Sequence, residues 1–172
     1  MMRDLIHLIE SRQELADELN RWVDFYSKDD AHSGKANNQE QRIIDLARPF
    51  PCEYTGMLFR GQTVSDSVIP RLLKGETVVV PKSKRLISSW SKDEGAAYFF
   101  AEDAALSNDS ALLIKMPSSR LRLIADVSEW IDHTGEEEVI AHAQNLTLTI
   151  QDVVAAWLYD EEYGDSVQVW PN

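Results

Sequence analysis

The sequence predicts an α+β fold, with helices first and strands after. Two patterns carry this expectation. Over the first fifty residues, apolar side chains recur at helical spacing. Beyond Pro49 and Pro51 the chain breaks into short runs rich in β-branched residues. Size and composition supply a third observation. At 172 residues, 44% of them hydrophobic, the chain is long enough for one domain with a substantial core. Residues 1–172 therefore read as a single domain, with helices over 1–50 and a β-rich core over 53–172.

The elements follow in chain order. "DLIHLIE" at 4–10 reads as a short helix. "SRQELADELNRWVDFY" at 11–26 reads as a second, with Leu15, Leu19, Trp22, Val23 and Tyr26 on one face. Ser11 and Glu14 suit a capping box at its start. "SKDDAHSGKANN" at 27–38 is a polar loop. "QEQRIIDLAR" at 39–48 is a helix stopped by Pro49. "YTGMLFRG" follows as a strand, and "DSVIPRLLKG" as a short helix or turn ended by Gly75. "TVVVPK" and "RLISSWS" are strand-like. "KDEGAAYFFAED" is a helix offering Ala96, Ala97, Phe99 and Phe100 to the core. "ALLIKMP", "RLRLIAD", "EEEVIAHA", "LTLTIQ" and "SVQVWP" complete the strands.

Several function classes are disfavoured. The longest apolar run, "VVAAWLY" at 153–159, is too short to span a bilayer, so no membrane role is expected. Asp4, His7 and Glu10 interrupt the apolar N-terminal segment, which argues against a secretory signal. Cys52 is the only cysteine and permits no internal disulfide, which suits a reducing compartment and places the chain in the cytoplasm. His7, His32, His133 and His142 are scattered, with no metal-ligand spacing, so no metal is expected. No phosphate loop or dinucleotide glycine fingerprint is present.

The net charge of −12 repels a nucleic-acid backbone. Its distribution is uneven. Residues 60–92 carry seven Lys or Arg against Asp66 and Glu76, a net of +5. Residues 126–166 carry eleven acids and no Lys or Arg. A basic strip suits a phosphorylated small molecule, and an acidic face suits a basic macromolecule. Single charges, however, mostly serve solvation.

Three stretches carry candidate chemistry. In "MLFRGQ" at 57–62, Arg60 ends a strand, and Gly61 permits a sharp turn or close approach to a ligand. A guanidinium there suits bidentate contact with phosphate, although an ordinary salt-bridged arginine is the commoner case. In "ISSWSKDEGAAYFF" at 87–100, Ser91 fits a helix cap, while Ser89 points away from Trp90 and toward a possible cleft. In "GEEEVIAHA" at 135–143, Glu136 and Glu138 share a strand face. Paired carboxylates repel, which a solvated edge tolerates and an active site exploits.

Arginine, then a serine pair at a strand-to-helix junction, then Glu-x-Glu entering a later strand: in this order the motifs resemble the mono-ADP-ribosyltransferases of the Arg-Ser-Glu class, a family of arginine-modifying toxins and bacteriophage enzymes. The resemblance spans residues 53 to about 170. One position departs from the pattern, since Trp90 replaces the threonine between the serines. This leaves Ser88 and Ser89 as alternatives for the motif serine, and the register with Ile87 favours Ser89.

The resemblance implies two packed β-sheets with an NAD-binding cleft between them, and NAD as a substrate without a metal. It implies that Arg60 holds phosphate, with Gly61, Ser89 and Ser91 beside the cofactor. Ser89 would orient Glu138, Glu138 would stabilise the ribosyl cation, and Glu136 would receive the acceptor. Glu-x-Glu implies an arginine acceptor on a target protein, expected to be basic and to belong to a host cell. The residues also admit two other readings. One is an acidic, non-enzymatic protein that blocks a basic host surface. The other is an NAD glycohydrolase, with water in place of the acceptor.

Overall fold

The computed structural model describes residues 2–26, 34–132 and 137–171, with side chains described at 2–23, 37–132 and 137–171. The helices are α1 (Met2–Tyr26), α2 (Gly34–Ala47), α3 (Val68–Leu73) and α4 (Glu94–Leu106). The strands are β1 (Met57–Val64), β2 (Val78–Val80), β3 (Ile87–Ser91), β4 (Ser110–Pro117), β5 (Leu123–Asp126), β6 (Glu138–His142), β7 (Leu146–Leu148), β8 (Val153–Asp160) and β9 (Asp165–Trp170). Among the described residues, no helix is long and apolar enough to cross a membrane.

The helical part differs from expectation at its boundaries. Residues 4–10 and 11–26 form one helix, so Ser11 lies inside α1 and caps nothing. The physical reason is that no Gly or Pro interrupts residues 2–26. Of the expected polar loop, 27–33 lie outside the described residues, and 34–38 are helical. Leu15, Leu19 and Trp22 of α1 and Ile43 of α2 close over Ile87, Ile124 and Ile140 of the sheet. Charged pairs pin these helices. Arg42 bridges Glu14 and Glu18, and Arg85 forks onto Glu40, whose side chain is fully buried.

All strand pairs are antiparallel. Seven strands form one sheet in the order β5-β6-β3-β1-β4-β8-β9, and β2 pairs with β7. Val78, Val80, Leu146 and Leu148 of the small sheet share a core with Leu58, Trp90, Leu112 and Val139 of the large one. The fold is α+β as expected, and its two sheets are unequal: a two-stranded layer covers part of one face of the seven-stranded sheet. β8, which the apolar run 153–159 did not reveal as a strand, is an inner strand between β4 and β9.

One junction in the large sheet is weak. β1 pairs with β4 over all eight residues from Met57 to Val64. β3 pairs with β6 over its full length, Ile87 to Ser91. Between β1 and β3 only Phe59↔Ser91 is in register. The sheet is thus a three-strand block and a four-strand block that part beyond one contact.

α4 covers the four-strand block through alanines. Ala97, Ala101 and Ala105 pack with Phe59, Leu113 and Trp157. Phe99 and Phe100, expected in the core, are exposed instead, because only the alanine stripe allows the helix to approach β1.

Candidate active site

The parted junction holds the candidate residues. Strand alternation sends Trp90 into the core beneath the small sheet and leaves Ser89 and Ser91 on the opposite face. Ser91 lies opposite Glu138 in the β3–β6 register. The Ser89 hydroxyl donates to Glu138 Oε1, and Glu138 is only 9% exposed. Ser88 points the other way, donates to the Ala141 carbonyl at 3.4 Å and accepts from Trp90 Nε1 at 3.0 Å. Of the two alternative serines, Ser89 is therefore the one that touches the carboxylate.

Arg60 does not end its strand, because β1 runs on to Val64. Its guanidinium lies in the gap between the blocks. Nη1 donates to the Ser89 carbonyl at 2.9 Å, and Nε donates to Gln62 Oε1 at 2.9 Å. The Trp90 ring centroid lies 6.0 Å from the guanidinium carbon, the outer limit of a cation–π contact.

Gly61 sits within a strand rather than at the turn anticipated, and it meets a packing need as well as lining the cavity beside Arg60. A Cβ there would stand 2.5 Å from the Ala101 backbone nitrogen, so the glycine exists to let α4 lie on β1. Ser91 is not the helix cap either. Asp93 is, accepting from the Gly95 and Ala96 amides, while Ser91 Oγ accepts from the Asp93 amide at 3.0 Å. Glu136 lies outside the described residues, and β6 as described begins at Glu138.

Arg60, Ser89, Ser91 and Glu138 line one cavity of about 220 Å³, with Phe59, Gly61, Thr63, Trp90, Ala97, Phe100 and Ala104 completing its walls. That volume is below the roughly 300–1,000 Å³ typical of sites for drug-sized ligands. It suits one ring-and-sugar unit of a larger molecule. Arg60 and Trp90 also line a smaller cavity on the far side of the gap, with Gln62, Lys82, Ser88 and Gln144. Gln144 Oε1 is buried without a hydrogen-bond partner.

The basic stretch 60–92 does not form one surface. Arg71 pairs with Glu76, Arg85 with Glu40 and Lys92 with Asp126, while Arg60 and Lys82 line the two cavities. The spacing of cations along the chain could not reveal that their partners fold in from distant segments. Lys92 acts structurally. It reaches Asp126 at 2.5 Å and Ser128 at 3.2 Å, while its amide donates to the Glu137 carbonyl at 3.1 Å. These bonds tie the end of β3 to the end of β5 and to the entry of β6. The aromatic walls Phe59 and Phe100 were not anticipated as site residues. Alternation along β1 marks Phe59's face, but nothing local marks Phe100.

Other reactive groups stand apart. Burial raises the Cys52 thiol above its usual range, with Asp126 and Glu129 adding to the effect, so it is poorly suited to nucleophilic work. Burial, aided by Arg122, lowers His142 and favours its neutral form. Among the described residues, no group of three His, Cys, Asp or Glu stands close enough to hold a metal. The chain matches no family model, no curated protein and no solved structure.

Proposed function

We propose that the protein is an NAD-dependent mono-ADP-ribosyltransferase that moves ADP-ribose to an arginine of a target protein. The observation that carries this reading is the Ser89–Glu138 hydrogen bond beside Arg60 at a single cavity. These are the residues named by the family resemblance, brought together from three separate strands.

Each residue has a physical task in this reading. Arg60, held by Gln62 and the Ser89 carbonyl, offers a pre-oriented fork to the pyrophosphate. Phe59, Trp90 and Phe100 provide apolar walls for a nicotinamide–ribose end. Ser89 fixes the rotamer of Glu138. Glu138 faces the ribose carbon as its bond to the nicotinamide nitrogen breaks and the electron pair leaves with neutral nicotinamide. A carboxylate about 4 Å from that developing cation contributes roughly 4 kcal/mol at an effective dielectric of ~20. That is on the order of a thousandfold in rate. The new bond forms between the same ribose carbon and a guanidinium nitrogen. That nitrogen gives up one proton, which Glu136 would receive on the family's pattern. The acceptor holds its proton up to pH ~12, so a carboxylate base is required.

The test is nicotinamide release and protein labelling from NAD, for wild type, Glu138→Gln and Glu136→Gln. Transfer predicts that Glu138→Gln loses both activities and that Glu136→Gln loses labelling while slow release continues. Release without labelling in the wild type would establish the glycohydrolase reading. Neither activity in the wild type would leave the acidic binder.

A further inference from the structure

We infer that the outward face of α4 docks the acceptor protein, and that the segment it recognises is basic and carries aliphatic side chains around the target arginine. This rests on the transferase reading. α4 spends its inward stripe on alanines and places its large apolar residues outward. Phe99 is 70% exposed, Phe100 54% and Leu106 72%. Large apolar side chains grouped on one exposed helix face mark an interaction surface more often than scattered single ones do. Helical spacing puts Phe99, Asp103 and Leu106 on one ridge and Phe100 with Ala104 on the next. Phe100 and Ala104 line the candidate active cavity, so the patch continues from the cavity wall onto the surface.

Charge identifies the occupant. From Asp93 to Asp109 the chain carries Asp93, Glu94, Glu102, Asp103 and Asp109 and no Lys or Arg. An apolar ridge set among acids is complementary to aliphatic groups set among cations. A second copy of this chain, at net −12, brings mostly the wrong sign. An anionic lipid surface is repelled for the same reason. A basic segment resting on Phe99 and Leu106 would have the cavity mouth at Phe100 beside it, where a guanidinium side chain can enter.

The experiment compares two acceptors in the presence of NAD. One is agmatine, a free alkylguanidine. The other is a synthetic peptide with a single arginine flanked by leucines and lysines. In the variant Phe99→Ser/Leu106→Ser, agmatine modification is expected to stay within twofold of wild type. The kcat/KM for the peptide is expected to fall tenfold or more, through KM. Glu102→Lys/Asp103→Lys should also raise the peptide KM and should remove its dependence on salt. An unchanged peptide kcat/KM in both variants overturns the docking face, as does an equal loss with both acceptors. A wild type that sediments as a dimer and becomes monomeric in Phe99→Ser/Leu106→Ser assigns the face to self-association and overturns it too. Wild-type protein that modifies neither acceptor refutes the transferase reading itself, and the docking inference falls with it.

Discussion

Gly61→Ala tests the seating of α4 on β1, on which the cavity depends. The added methyl would lie 2.5 Å from the Ala101 nitrogen, 2.9 Å from its Cα and 3.0 Å from the Phe100 carbonyl carbon, against the 3.4 Å at which ordinary contact begins. All three atoms are backbone, so no rotamer change relieves the clash. The helix must recede by roughly 1 Å, or the strand must bend, in a closely packed region. Overpacking costs about 1–3 kcal/mol, and a backbone obstacle places this case near 2–3. For a chain of this length that lowers Tm by roughly 4–12 °C. Because α4 carries the Ala97, Phe100 and Ala104 walls, nicotinamide release should fall as well. Calorimetric melting and a steady-state release assay measure the two effects. Ala101→Gly should not rescue the variant, since the clash is with atoms that glycine retains. A Gly61→Ala protein that melts within a degree of wild type and releases nicotinamide normally would refute this account of the β1–α4 contact.

Three further outcomes are expected. Ser89→Ala should lower nicotinamide release by about 10–100-fold, the scale of losing a partner that orients a functional ligand, while Ser88→Ala should change it little; equal effects in the release assay would contradict the facing of the two serines. Glu40→Ala removes a fully buried carboxylate to which Arg85 and the Leu86 amide both donate. Chemical denaturation should show a loss of about 3–5 kcal/mol, and a value below 1 would mean that the pair is hydrated. His142 titrates below its usual value, so the unfolded chain takes up its proton first as pH falls through about 6.5. Its contribution to stability therefore declines with falling pH in that range, and His142→Asn should flatten the stability profile there.

Much of the architecture was legible locally. β1, β3, β4, β6 and β9 carry β-branched or alternating residues that need no distant partner to be recognised, and Gly75 ends α3 with φ at +82°. Arg60, Ser89 and Glu138 could be singled out because residue type and order survive in a sequence even when distances do not. β8 escaped notice because a strand covered on both faces loses its alternation and reads only as an apolar run. The break expected at Ser11 was misplaced because a capping pattern in mid-helix has the same letters as one at its start.

The pairing of Ser89 rather than Ser88 with Glu138 depended on which face of β3 each occupies, and strand parity allowed that to be favoured in advance. That β1 and β3 meet at a single register pair, opening the gap that receives Arg60, was not readable. Register between distant strands is set by the whole sheet. The dispersal of the basic stretch has the same origin, because Glu40 and Asp126 reach Arg85 and Lys92 only after folding. The outward placement of Phe99 and Phe100 is also tertiary. Hydrophobicity favours burying them, but β1 presents Gly61 to α4, and the close approach that this glycine permits is available only to the alanine stripe.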